Sequence, residues 1–275
     1  MSKHSGDLAT NPARYMPDLS GKIILITGGT NGLGAQSAVE LARHSPKHIY
    51  ISGRNSTAAS NVIKQVQDQG SKTEVAFLQC DLADLASVRT ATDKVLAEQT
   101  HLDVLMATAG IMAKPPSLTK DGYEIQFGTN HLGNALLIRK LLPLLQNNEA
   151  EGRDTRIIIT TSLGWQGAPK SGIRFEELRT PQDMFFGSWL RYGQSKLANL
   201  LYARELARRY PNITTVSVHP GVIQTDLINS LPLSKRVFVR VTSAGMKIPL
   251  EEGCWSQIWC VGAPKAVIHA NNGAF

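Results

Sequence analysis

Short apolar runs without polar alternation, spaced by helical stretches, constrain this chain more than any other feature. Lys22–Thr27, His48–Ser52, Glu74–Gln79, Leu102–Thr108, Arg156–Thr161 and Thr214–His219 read as strands. A strand with one wet face alternates apolar and polar residues. These do not, so they predict a parallel sheet covered on both faces. Between them, Asn31–His44, Ser56–Gln69, Leu85–Gln99, Gly122–Gln146 (with Pro143 near its end), Trp189–Arg209 and Leu250–Val261 read as helices. Right-handed crossovers turn that order into one doubly wound α/β sheet with helices on both faces. No linker interrupts it, so the reading is a polar N-terminal extension over 1–20 and a single domain over 21–275.

Ligands of such sheets bind beyond the carboxyl ends of the strands. The loops after Thr27, Ser52, Gln79, Ala107, Thr161 and His219 are therefore where chemistry is expected. The first is Gly28-Gly29-Thr30-Asn31-Gly32-Leu33-Gly34. Without Cβ atoms its backbone can approach a pyrophosphate, and the helix behind it offers unpaired N–H groups and a positive dipole end. The fold is then Rossmann-type, with a dinucleotide site. After the second strand an acid would hold the ribose 2′-hydroxyl of NAD. The sequence has Ile51-Ser52-Gly53-Arg54-Asn55 instead. Arg54 can pair with a 2′-phosphate, which predicts NADP(H); its alternative is a plain surface arginine.

Tyr192-Gly193-Gln194-Ser195-Lys196 places a phenol and an ammonium four residues apart on one helix face. A free tyrosine titrates near about 10, and a neighbouring cation is expected to lower that value. Such a tyrosine can pass a proton to or from a substrate oxygen. None of the other five tyrosines has a lysine four residues on.

Thr27–Gly34, Asn130, Ser162, Tyr192, Lys196 and Pro220-Gly221 occur in the order of the short-chain dehydrogenase/reductase family, which the chain resembles from Lys22 onward. Tyr192-Gly193-Gln194-Ser195-Lys196-Leu197-Ala198-Asn199 resembles the retinol-dehydrogenase-like branch. The resemblance implies a catalytic set of Asn130, Ser162, Tyr192 and Lys196. Tyr192 would be the acid in reduction and the base in oxidation. Lys196 would tune it and hold the nicotinamide ribose. Ser162 would hydrogen-bond the substrate oxygen, and Asn130 would hold a water linking Lys196 to solvent. Asn130 read alone is also a helix cap, and Ser162 a turn serine.

The implied cofactor residues are Gly28, Thr30, Asn31, Gly32, Leu33, Gly34, Arg54, Asp81, Leu82, Ala109, Gly110, Tyr192, Lys196, Pro220, Gly221, Val222 and Thr225. Asp81 would read the adenine edge; its alternative is a helix N-cap. The sequence departs from the family at Ala107-Thr108-Ala109-Gly110, where two asparagines usually precede Ala-Gly. Backbone contacts of Ala109 and Gly110 survive that change, and Thr108 can replace one side-chain hydrogen bond. The resemblance also places a final strand after Gly273, so at Phe275 that strand is only begun.

Composition narrows the alternatives. The net charge is +7, but Lys and Arg are scattered, which argues for solvated helix faces and an anionic small ligand rather than nucleic acid. Residues 1–20 lack the apolar core of a signal peptide, and no run reaches membrane-span length. Peripheral membrane contact and a homo-oligomer stay open. Cys80, Cys254 and Cys260 are odd in number, which fits reduced thiols and a cytoplasmic location. No HExxH or paired-ligand pattern predicts a metal.

The substrate side is expected in two places. The long stretch between Ser162 and Tyr192 contains Phe175-Glu176-Glu177-Leu178 and Met184-Phe185-Phe186. Loops of that length in a compact domain are usually functional. Leu227–Val241 carries Leu231, Leu233, Val237, Phe238 and Val241, read as an apolar lid or as core. The leading function is an NADP-dependent oxidoreductase, a carbonyl reductase or alcohol dehydrogenase acting on a hydrophobic small molecule. The alternative is a non-catalytic NADP(H)-binding sensor on the same fold; an isomerase or dehydratase with a captive cofactor is disfavoured by the chain's simple length. The fold alone does not separate them.

Overall fold

A computed structural model describes residues 16–150, 152–184, 187–223, 236 and 247–275. Six parallel strands form one sheet in the order β3-β2-β1-β4-β5-β6. They are β1 (Ile23–Thr27), β2 (His48–Gly53), β3 (Glu74–Gln79), β4 (Val104–Ala107), β5 (Arg156–Thr160) and β6 (Thr214–Val218). Ile24 stands opposite Ile49 on one side and Val104 on the other. The order reverses between β1 and β4, the place where a doubly wound sheet opens a crevice.

Successive strand residues point to opposite faces, and both faces are buried. Ile23, Leu25, Tyr50, Leu105, Ile157 and Ile159 pack against α3 (Leu85–Glu98), α4 (Asn134–Ala150) and α5 (Gly187–Arg209). Ile24, Ile26, Ile49, Ile51, Val104 and Ile158 pack against α1 (Gly32–Ala42), α2 (Ser56–Asp68) and α6 (Trp255–Gly262). This is why the strands lack polar alternation.

Two helices differ from expectation. The predicted Gly122–Gln146 helix starts at Ile125, passes through a π-helical Gly128–Gly133, and continues as α4 past Pro143 to Ala150. Leu141, Leu142, Leu144 and Leu145 are all buried, so core packing holds α4 together across the proline's missing N–H. The predicted Leu250–Val261 helix divides into Leu250–Gly253 and α6. Beyond β6, Gly273 N–H donates to Thr215 O at 2.7 Å, and Ala274 O accepts from Ser217 N–H at 2.9 Å. These are the first rungs of pairing on the free edge of β6, where the final strand was expected to begin.

Candidate active site

The glycine turn sits between β1 and α1, as the sequence predicts. A Cβ on Gly34 would lie 2.5 Å from Gly28 O, so only glycine lets the start of α1 press onto the turn. Asn31 Oδ1 accepts from Gly32 N–H at 2.6 Å and caps α1. The remaining N–H groups of that first turn have no carbonyl within the helix to bond, which is what an anion cradle requires. The turn also touches the end of β2, where a Cβ on Gly53 would lie 2.5 Å from Thr30 Oγ1. Arg54 follows directly, is exposed, and forms no ion pair among the described residues. Asn55 caps α2 by accepting from Ala58 N–H. A cationic side chain with no ion pair among the described residues thus stands beside the anion cradle.

Asp81 Oδ1 accepts from Ala83 N–H at 2.9 Å, while Asp84 caps α3. Asp81 is therefore the residue of a tight turn rather than the N-cap, and its Oδ2 has no partner among the described residues. Leu82 is buried beside it.

The loop after β4 is held by a network that the sequence did not disclose. Thr27 Oγ1 donates to Asn134 Oδ1 at 2.9 Å and accepts from Ala109 N–H at 3.0 Å. Asn134 Nδ2 donates to Ala109 O at 3.3 Å and to Asn130 O at 3.1 Å. Thr108 Oγ1 donates to Gln257 Oε1 at 3.3 Å, and Gln257 Nε2 donates to Thr160 Oγ1 at 2.9 Å. Thr108 thus takes up a side-chain role in place of a missing asparagine, tied to α6 rather than to its own loop.

Asn130 lies in the π-helical turn and caps nothing. Its Oδ1 accepts from Ile111 N–H at 2.7 Å, and its Nδ2 donates to Ile111 O and to Ser195 Oγ, both at 2.9 Å. Ser195 Oγ in turn donates to Tyr192 O. The Asn130 side chain therefore fastens the post-β4 loop to α5, one residue from Gly110. A Cβ on Gly110 would lie 3.2 Å from Asn130 Oδ1 and 3.4 Å from Lys196 Nζ. Glycine there keeps space open in front of the lysine.

Tyr192 and Lys196 share one face of α5, and both are buried. Lys196 Nζ lies 5.7 Å from the Tyr192 ring centre and donates to Thr160 O at 3.1 Å, at the carboxyl end of β5. Thr161 Oγ1 donates to Lys196 O at 2.7 Å, which anchors the helix to the same strand end. Ser162 accepts from Gly164 N–H at 3.1 Å, opening the 3₁₀ turn Leu163–Gly167. It is both a turn serine and a hydrogen-bond partner of the Tyr192 phenol.

One expectation is corrected here. The Tyr192 phenol stands above its ordinary value in the protein alone, not below it. Burial pushes the phenol up, and the Ser162 hydrogen bond is the opposing influence. Burial likewise holds Lys196 down, to about 8. Both groups are desolvated, so each resists its charged form. His219, at the end of β6, is also pushed down, first by burial and then by the Lys196 charge. Pro220, Gly221 and Val222 follow it at the site's edge, partly exposed; Thr225 lies outside the described residues.

The long stretch before Tyr192 folds into the 3₁₀ turns Leu163–Gly167 and Phe175–Glu177. Phe175 and Met184 are exposed. Phe185, Phe186 and, apart from Arg236, the segment Leu227–Val241 lie outside the described residues. A cavity of about 600 Å³ opens at the other end of the sheet, beneath Ile24, Val104 and Arg156. It lies away from the strand ends that carry Tyr192 and Lys196. No group of three or more metal-ligating side chains occurs among the described residues, and no helix there is long and apolar enough to cross a membrane.

The cradle at Gly28–Gly34, the exposed Arg54, Asp81 and the opening at Gly110 fit a dinucleotide laid across the crevice between β1 and β4 toward Lys196. A profile of the short chain dehydrogenase family matches residues 22–171. An uncharacterised oxidoreductase of Schizosaccharomyces pombe is 38% identical over 270 residues, covering 94% of this chain and 78% of the relative. Human retinol dehydrogenase 11 is 37% identical over 212 residues, covering 76% of this chain and 64% of that protein. Among solved structures, a short chain dehydrogenase from Burkholderia cenocepacia in complex with NADP superposes with a TM-score of 0.68 at 25% identity, covering 94% of this chain and 96% of the other. The NADPH-bound carbonyl reductase from chicken fatty liver, 20% identical with a TM-score of 0.69, shares the fold over 94% of this chain and 96% of its own. The chain belongs to the short-chain dehydrogenase/reductase family of oxidoreductases, in the branch that includes the retinol dehydrogenases.

Proposed function

We propose that this protein is an NADP-dependent oxidoreductase that interconverts a carbonyl and an alcohol on a hydrophobic small molecule. The observation that carries the reading is the buried Tyr192–Lys196 pair with Ser162 on the phenol, at the strand ends that face the glycine cradle. A nicotinamide dinucleotide, when bound, supplies or accepts the hydride. The residues of this chain handle the proton and the charge. Ser162 and Tyr192 would both hydrogen-bond the carbonyl oxygen, which favours the negative charge that builds there. Tyr192 gives its hydroxyl proton to that oxygen in reduction and takes it back in oxidation.

Lys196, held near the phenol, favours the phenolate left behind and reaches the ribose hydroxyls. Its own proton would be replaced through a water at Asn130. Because the Asn130 side chain is committed to Ile111 and Ser195, that role falls to its backbone carbonyl. A cytoplasmic location fits the three buried, unpaired cysteines.

The apolar substrate class rests on exposed Leu163, next to Ser162, on exposed Phe175 and Met184 in the stretch before Tyr192, and on the apolar makeup of Leu227–Val241. The retained tyrosine and lysine favour an enzyme over a sensor.

Cofactor choice is tested at Arg54. A charge-assisted hydrogen bond to a phosphate contributes roughly 1.5–3 kcal/mol, or about ten- to a hundredfold in affinity. NADPH is expected to bind more tightly than NADH by that factor, and Arg54→Asp to abolish or reverse the preference. Fluorescence titration of both nucleotides measures it. Equal affinities in the wild type would reduce Arg54 to a surface residue.

A further inference from the structure

Arg191 precedes the catalytic tyrosine, is 1% exposed, and is among the largest fully buried side chains of the described residues. Burying a guanidinium is unfavourable unless its donors are met. Three separate backbone and side-chain groups surround it. Its two terminal nitrogens donate to Gln182 O at 2.7 Å and to Lys114 O at 2.9 Å. Its Nε faces Glu124 Oε1 at 3.1 Å, close enough for an ion pair but without the alignment of a hydrogen bond. Glu124 is equally buried, and its other oxygen accepts from Phe127 N–H at the start of the helix that leads into Asn130.

The backbone is strained at one held carbonyl and at the residue before the other. Among the described residues, Ser45, Ala113 and Gln182 are the non-glycine residues in the left-handed region. Gln182 presents its own carbonyl to Arg191, and Ala113 immediately precedes Lys114. Such conformations persist only where surrounding contacts enforce them, and they gather at functional sites. Space has also been cleared for the guanidinium, since a Cβ on Gly187 would lie 2.8 Å from one of its terminal nitrogens.

The segment held at Lys114 bears on the chemistry directly. Met112 and Ala113 pack with Trp189 against the Tyr192 ring. The segment held at Gln182 closes the long stretch between Ser162 and Tyr192. Gln194, on the same side of α5, reinforces that grip by accepting from Arg174 N–H at 2.8 Å and donating to Gln182 Oε1 at 2.9 Å. Thus one set of α5 side chains, Tyr192 and Lys196, faces the cofactor side. Another, Arg191 and Gln194, holds the surrounding loops.

We propose that Arg191 is a positioning and specificity-determining residue, which ties the 174–182 segment and the Met112–Lys114 loop to the catalytic helix and so builds the rigid wall against which a substrate carbonyl meets Tyr192. The proposal deepens the oxidoreductase reading and rests on it for its kinetic arm. Its structural arm is independent of any turnover.

The experiment compares wild type with Arg191→Met, Arg191→Lys and Glu124→Gln. Limited trypsin digestion probes the wall, because Arg174 and Arg179 lie within it. Freeing the segment in Arg191→Met should speed cleavage at those sites by about tenfold or more, while NADPH affinity stays within about twofold. The lysine variant, which keeps the charge but not the forked donors, should restore protection in part. In the kinetic arm, a bulky aryl ketone and propanal serve as substrates. Arg191→Met should lower kcat/KM for the ketone about tenfold more than for propanal, a split that a loss of stability alone would not produce.

Failure of wild type to reduce either carbonyl counts against the oxidoreductase reading, and digestion then still decides the wall. Should Arg191→Met not fold, Glu124→Gln and Arg191→Lys carry the same comparisons. Wild-type protection of the Arg174 and Arg179 sites in the folded variants would overturn the proposal. So would an equal fall in both substrates' kcat/KM.

Discussion

Tyr192→Phe is expected to lower turnover by about 10²–10⁴-fold while nucleotide affinity stays within about twofold. The substitution keeps the ring that packs against Met112 and Ala113 and removes only the hydroxyl. Folding should therefore be preserved. What is lost is the proposed proton donor, and Ser162 does not replace it, because an aliphatic hydroxyl is a far weaker acid than a phenol and serves only as a hydrogen-bond donor. Steady-state rates with titrated NADPH affinity check both halves. Undiminished turnover would remove Tyr192 from the mechanism.

Lys196→Met should do two opposite things. Turnover should fall by about a hundredfold or more, with weaker nucleotide binding, because the phenolate and the ribose hydroxyls lose their cationic neighbour together. The cofactor-free protein should become more stable at neutral pH. The sign follows from burial. Lys196 has its pKa pulled down from 10.5 to about 8 by desolvation. Between about pH 8 and 10.5 the unfolded chain holds that proton and the folded one does not, so the wild type gains stability as pH rises through this window. Below about pH 8 the folded protein carries the full cost of a buried ammonium, offset only in part by Thr160 O. The stabilisation by methionine should thus be largest near pH 7 and shrink toward pH 10.5. Melting temperatures of both proteins without cofactor across that range measure it. A pH-independent difference would show that Lys196 is not held as a strained cation.

The sheet was legible because its strands are buried on both faces, and apolar runs such as Arg156–Thr161 mark their own limits to within a residue or two. The glycine turn and the tyrosine–lysine pair were legible because each depends on spacing within a single element. Features that depend on distant partners were not. Arg191 looks like any helical arginine until Gln182, Lys114 and Glu124 are brought round it. Thr27, Asn134 and Gln257 are ordinary polar residues until they converge on the loop after β4. The pairing of Val222–Ile223 with Lys247–Ile248 is too short to leave a periodic signal. The error over the Tyr192 pKa has the same origin: spacing reports that a cation is near but not how dry the site is, and here desolvation outweighs it.

Deuteride transfer tests the central claim most directly. NADPH deuterated at the transferring position of its nicotinamide would be incubated with the purified protein and a panel of aldehydes, retinoids, steroids and quinones, and the products analysed by mass spectrometry. The account predicts one deuterium at the new carbinol carbon for each NADPH consumed with at least one hydrophobic member, and loss of that transfer in Tyr192→Phe. NADPH binding without deuterium transfer to any member of the panel would contradict it and leave the nucleotide-sensor reading in its place.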